Sequence, residues 1–222
     1  MQKLLAGLLF LVSYNELQAS QWAVPAPYHV FCEPPLTHAV RMGKLDKVQK
    51  LLKDKHIDVN KQTTPLKITV LILACADGYS SIVQLLLTAG ANPDLCTTRG
   101  MSAMMHAARY GRTTIIKDII HHGTTTINNQ NDEGWTALMF AVKGGHLETV
   151  RLLLDALADT NKKNNQQQDV FDIANAASRH PDIGLLLMEH ILKQRTATQP
   201  RLTPQQTLPF TFPDKFKSLS EN

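Results

Sequence analysis

Four glycines recur along this chain at a nearly constant interval. Gly43, Gly78, Gly111 and Gly145 are 35, 33 and 34 residues apart, and Ser178 stands 33 further on in their place. A period of that length signals small stacked units, none of which can bury its apolar face alone. The stretch Gly134–Asp159 shows the unit most fully. Thr136 is placed to cap a helix starting at Ala137, because a hydroxyl accepts a bond from a free first-turn amide. Gly145 falls where that helix must end, at a position where a left-handed residue is needed. Val150, Leu153 and Leu154 then mark one face of a second helix at i, i+3 and i+4. The same apolar positions recur as Val48/Leu51/Leu52, Val83/Leu86/Leu87, Ile116/Ile119/Ile120 and Ile183/Leu186/Leu187. A small residue precedes each turn by four: Ala39, Ala74, Ala107, Ala141 and Ala174. The pattern predicts helix pairs near 35–42/45–54, 70–77/80–89, 103–110/113–122 and 137–144/147–156, with a degenerate fifth copy from Val170 to about Ile191.

These units resemble ankyrin repeats, whose pattern is Gly-x-Thr-Pro-Leu-His-x-Ala, a turn glycine, then a Leu-Leu helix ending in Gly-Ala. The carriers here are Gly134-Trp135-Thr136-Ala137-Leu138 and Leu85-Leu86-Leu87-Thr88-Ala89-Gly90-Ala91. The resemblance spans roughly residues 33–190. It implies an all-α solenoid of about four to five helix-turn-helix repeats with short hairpin loops. The copies would fall at approximately 33–65, 66–98, 99–132, 133–165 and 166–190. The chain departs from the family where the motif histidine is replaced by Thr37, Ile72, Met105, Met139 and Asp172. Leu157 stands where the second helix should end in glycine. Both departures predict a less regular array, without the hydrogen-bond tie that the histidine supplies between repeats.

The flanks read differently. Lys3 is followed by a nine-residue apolar run, Leu4–Val12, and then by a more polar stretch. That is the order of a secretory signal, and the run falls short of the ~20 apolar residues of a membrane span. The alternative for residues 1–20 is a helix capping the first repeat. Residues 21–32, with Pro25 and Pro27, read as a linker. Residues 191–222 carry four prolines among threonine and glutamine, and their composition predicts a disordered tail. The formal charge of the chain is +4. Five Lys/Arg against two Asp/Glu in residues 191–222 leave 18 against 17 for the rest, so the tail accounts for most of it. Lys44, Lys47, Lys50, Lys53 and Lys55 are interspersed with Asp46 and Asp54, the pattern of a solvated helix face. No nucleic-acid groove is expected.

Constellations for chemistry are lacking. His121 and His122 are adjacent and point to different helix faces, with no partner at metal-ligand spacing. Cys75 follows a motif alanine as a small core residue, and Cys32 and Cys96 fall in loops. Neither a phosphate loop nor a nucleophile elbow occurs. The expected function is therefore non-catalytic: a monomeric protein-protein interaction scaffold or adaptor with no metal and no cofactor. The alternative is an exported repeat protein whose partner lies outside the cytoplasm. The repeat register points to a concave face built from hairpin tips and the ends of first helices. Its candidate contact residues are Arg41, Met42, Asp77, Arg99, Met101, Arg109, Tyr110, Glu133, Trp135 and Lys143. Arg99, Met101, Arg109, Tyr110 and Trp135 form the richest cluster, since Trp, Tyr and Arg dominate interface hot spots. Met104, Met105 and Phe140 are expected in the core.

Overall fold

The computed structural model describes residues 34–63, 65–124, 127–176 and 180–198. The expected signal or capping segment 1–20, the linker 21–32, Cys32, Ser178 and most of the expected tail lie outside them.

Ten helices follow one another among the described residues: α1 Pro35–Arg41, α2 Leu45–Leu51, α3 Val70–Asp77, α4 Ser80–Thr88, α5 Ala103–Arg109, α6 Thr113–His121, α7 Ala137–Gly144, α8 Leu147–Asp155, α9 Val170–Ala176 and α10 Pro181–Thr198. They pair as α1/α2 through α9/α10. The first helices pack side by side in chain order, α1 on α3, α3 on α5, α5 on α7 and α7 on α9. The second helices form a parallel row from α2 to α10. This is the all-α solenoid that the repeat period predicts, with contacts mainly between neighbours. Helix α10 runs past residue 190 to Thr198, so the order of the last repeat reaches into the stretch expected as tail. Lys193 pairs with Glu189 one turn earlier in that extension, at 2.7 Å.

The sequence explains the starts of three first helices. Thr69, Ser102 and Thr136 cap α3, α5 and α7, each accepting the amide of the residue three further on at 3.2 Å. Those three amides belong to Ile72, Met105 and Met139, which stand where the family carries histidine. Their side chains are instead buried to 0–2% exposure. The core runs through both rows: Val83, Leu86, Ile116, Ile119, Val150 and Leu153 are fully enclosed.

The turn glycines meet two demands at once. Gly43, Gly78, Gly111 and Gly145 all have positive φ, between 62° and 83°. A side chain from the following repeat also lies against each of them. Tyr79 covers Gly43, Arg112 covers Gly78, His146 covers Gly111 and His180 covers Gly145. A Cβ on Gly111 would come within 2.6 Å of the His146 ring, so alanine is excluded by both backbone and contact.

Other left-handed positions are held without glycine. Lys67 and Gln167, with φ of 53° and 60°, occupy the hairpin place of Gly100 and Gly134. Leu157, at φ 62°, occupies the helix-end place of Gly90 and Gly123, and its side chain is 76% exposed. These substitutions are the irregularity that the departures from the repeat pattern predict.

Ties other than histidine join the repeats. The hairpins hydrogen-bond in sequence through their backbones: Thr98 N–H to the Leu66 carbonyl, Asp132 N–H to Arg99 and Asn165 N–H to Glu133, at 3.0–3.1 Å. At the loops after the second helices, Asn60 accepts from the Asn92 amide and Asn128 from the Asp159 amide, both at 2.7 Å. On the second-helix row Gln84 donates to Asp118, and Thr113 and Thr149 share a bond at 2.9 Å.

Candidate functional site

The candidate residues come from two recurring places: the hairpin tips and the last two residues before each turn. In the pre-turn row the penultimate residue is Arg41, Ala76, Arg109 or Lys143, and the last is Met42, Asp77, Tyr110 or Gly144. Because the first helices pack in register, each set forms a line across the array.

The centre of that line is an aromatic and cationic cluster in repeats three and four. Trp135 leaves its hairpin half-buried and tilts on Phe140, with ring centroids 5.3 Å apart. Lys143 Nζ lies 4.8 Å from the centre of the Trp135 ring. One repeat earlier the Arg109 guanidinium stands 5.9 Å from the Tyr110 ring, which is 42% exposed. Cations over ring faces are attracted by the ring quadrupole, most strongly by tryptophan. The Arg109 carbonyl is occupied by His146 Nε2 at 3.0 Å, which ties the end of α5 to the next turn.

Met101 does not belong to this surface. It is fully buried, and Asn131 Nδ2 reaches its sulfur at 3.4 Å. A flexible thioether fits the slot between two hairpins, so a hairpin-tip position alone does not give exposure. Arg99 and Glu133 have exposed side chains on the hairpin edge, while their carbonyls serve the inter-repeat ladder. Arg41, Met42 and Asp77 form a second group towards repeat one. Met42 is 53% exposed and borders a hollow of about 670 Å³ with His38 and Leu45. Burial raises the Asp77 carboxyl pKa, while the guanidinium groups of Arg41 and Arg112 pull it back down.

Two further residues border the candidate surface: His106, which its repeat position places half-buried between helices, and Arg112, which the sequence reading passed over. His106 sits on α5 four residues before Tyr110 and is only 8% exposed. Burial first, and then the charge of Arg109, push its imidazole down to about 4, so it is neutral near pH 7. Its counterpart in repeat four is Phe140, and that apolar counterpart was the available signal. Arg112 is the other; the large residue after each turn glycine marks it. Met104 and Met105 are buried as expected, while Phe140 is half-buried.

Burial raises the Cys75 thiol pKa far above its usual range, with a smaller push from Asp118. Burial and then Asp94 raise that of Cys96. Both shifts favour the protonated thiol over the thiolate. His121 Nδ1 contacts the Lys117 carbonyl at the end of α6. Among the described residues no three His, Cys, Asp or Glu side chains are grouped to hold a metal ion. No described helix is long and apolar enough to cross a membrane.

Paired helices, capped hairpins and glycine turns at this period define the class of the protein, a helical repeat array of the kind that serves as a protein-protein interaction module. The chain belongs to the ankyrin-repeat family: the family model for ankyrin repeats in three copies matches residues 36–128, 71–164 and 114–197. It is 29% identical over 136 residues to alpha-latrocrustotoxin-Lt1a of Latrodectus tredecimguttatus, covering 61% of this chain and 10% of the toxin. It is 29% identical over 154 residues to glycerophosphocholine phosphodiesterase gde1 of Schizosaccharomyces pombe, covering 68% of this chain and 13% of that protein. With human B-cell lymphoma 3 protein it shares 32% identity over 137 residues, 57% of this chain and 29% of the relative. The chain thus spans less than a third of the length of these relatives.

Proposed function

We propose that this chain is a non-catalytic, monomeric scaffold that holds a protein partner on the concave face made by its hairpins and first-helix ends. The observation that supports this reading is the Trp135–Phe140–Lys143 stack, which leaves a large ring partly exposed one repeat on from the Arg109–Tyr110 pair. Such residues supply much contact area for little lost side-chain freedom. The array is ordered by its own core before a partner arrives, so association immobilises little that was free. Enzymatic names among the relatives belong to proteins of which this chain matches only a small part.

The test is a pull-down from native lysate with the wild-type chain and with a Trp135→Ala/Tyr110→Ala variant of matching helical circular dichroism. A partner retained by the wild type and lost by the variant supports the reading. A partner that survives the double change overturns it and moves the site to the lysine face of α2 or to residues 199–222. The apolar run Leu4–Val12 supports a second reading, in which the same face meets its partner after export. An N-terminus at Ser20 in the purified protein supports export, and one at Met1 or Gln2 argues against it.

A further inference from the structure

We infer that the outer end of repeat one docks on an anionic membrane surface, where Lys44, Lys47 and Lys50 meet the lipid headgroups and Met42 and Leu45 enter between them. This surface is separate from the Trp135 face, and the inference stands or falls independently of the concave-face reading.

The repeat register shows which side of α2 the three lysines occupy. They follow the turn glycine Gly43 by one, four and seven residues. In later repeats the residue one after the glycine covers the preceding turn, as Arg112 covers Gly78 and His146 covers Gly111. The residue four after it is Ile82, Ile115 or Thr149, and each is buried. Thr149 bonds there to Thr113 of the preceding second helix. The residue seven after the glycine meets the same neighbour, since Asp118 accepts from Gln84. The side that stacks on the preceding repeat elsewhere thus carries three lysines in repeat one, and all three are exposed. No ion pair involves them among the described residues.

The charge of the chain is unevenly spread along the array. Residues 41–67 hold eight Lys/Arg against three Asp/Glu, whereas residues 68–190 hold nine against twelve. The three acids of the basic end, Asp46, Asp54 and Asp58, are exposed among the lysines and leave cations in excess. A solenoid end needs a polar face for solubility, but it does not need one sign of charge. At the other end of the array α10 sets Lys193 against Glu189.

Apolar side chains lie within the basic patch. Met42 is 53% and Leu45 39% exposed, and with Lys44 and Lys47 they border the hollow of about 670 Å³. Lysines around exposed apolar side chains match an anionic bilayer: the ammonium groups stay at the headgroups while the apolar groups reach the acyl boundary. A polynucleotide is the poorer match. Proteins that hold single strands add stacking rings to their cations, and residues 43–67 contain no arginine and no Phe, Tyr or Trp.

Sedimentation of the full chain with sucrose-loaded vesicles tests this, using phosphatidylcholine alone and phosphatidylcholine mixed two to one with phosphatidylserine. The mixed vesicles should capture the chain, pure phosphatidylcholine should capture little, and capture should weaken as salt shortens the screening length. A lysine near an anionic bilayer is worth roughly five-fold in binding, so Lys47→Glu/Lys50→Glu should lower the partition coefficient about twenty-five-fold or more. Lys117→Glu/Arg151→Glu makes the same change of charge at exposed places on α6 and α8 and should lower it far less. Both variants are compared at helical circular dichroism matching the wild type. No capture by the mixed vesicles, equal capture by both kinds of vesicle, or equal losses in the two variants overturns the inference. Displacement of the chain from the mixed vesicles by oligo(dT) at equal phosphate concentration also overturns it and assigns the face to nucleic acid.

Discussion

Repeats three and four share a register and differ in what they leave open. In repeat three the first helix is buried from Ala103 to Ala108, and the hairpin residue Met101 is buried with it. In repeat four the equivalent hairpin residue, Trp135, is half-exposed, and Phe140 stands half-exposed where repeat three has the buried His106. The next hairpin contributes to the difference. Asn131 turns its amide onto the Met101 sulfur, whereas Asn164, its counterpart one repeat on, gives its amide to Gln168 Oε1 at 3.0 Å. The indole lies outward against Phe140 and Lys143. The two repeats show that register decides where a side chain starts, while its size and the following repeat decide whether it meets solvent.

The sharpest way to break this comparison is to truncate both hairpin residues. Met101→Ala should cost about 2–5 kcal/mol, the range for emptying a packed site. Trp135→Ala should cost less, since its ring is only partly buried, yet it should abolish partner binding. Urea denaturation of the two variants measures the contrast. Equal losses would mean that Trp135 is a core residue.

His106 gives the next largest effect, and it depends on pH. Its pKa is about 4 in the folded chain against an ordinary 6.5. Below the ordinary value the unfolded chain therefore takes up a proton that the folded chain refuses. Stability is full above that value and declines as pH falls towards the folded one, by roughly 2 kcal/mol between pH 7 and pH 5. His106→Phe copies the residue of repeat four and should flatten this slope. A slope unchanged by the substitution would assign the pH dependence to other groups.

A smaller gain is expected at Leu157. It holds a left-handed backbone that Gly90 and Gly123 hold at the same register, and its side chain is largely exposed. Leu157→Gly should stabilise the chain by about 0.5–1 kcal/mol, because relief of the backbone strain exceeds the added freedom of glycine in the unfolded state. A rise in the urea midpoint at constant slope would confirm it; a fall would show that the leucine has a packing role.

The fold was legible because its determinants are local and repeated. The caps Thr69, Ser102 and Thr136, the left-handed glycines and the i, i+3, i+4 faces all act within one unit, so each copy reinforced the others. The helix ends predicted for repeats two to four lie within one residue of those observed. The end of α10 was not legible, because the proline and threonine composition beyond it masked a helix that continues to Thr198. The candidate surface was legible only as positions. Met101 looked exposed because its burial depends on Asn131, thirty residues away. Arg112 was overlooked because its reach towards Asp77 belongs to the stacking of repeats.

The covered turns give the array a direction. Each glycine turn is roofed by a side chain of the repeat that follows: Tyr79, Arg112, His146, His180. A repeat peeled from the C-terminal end carries the roof away from the turn left behind. One peeled from the N-terminal end leaves every remaining roof in place. The two ends of the rod should therefore yield to a pulling force along different routes.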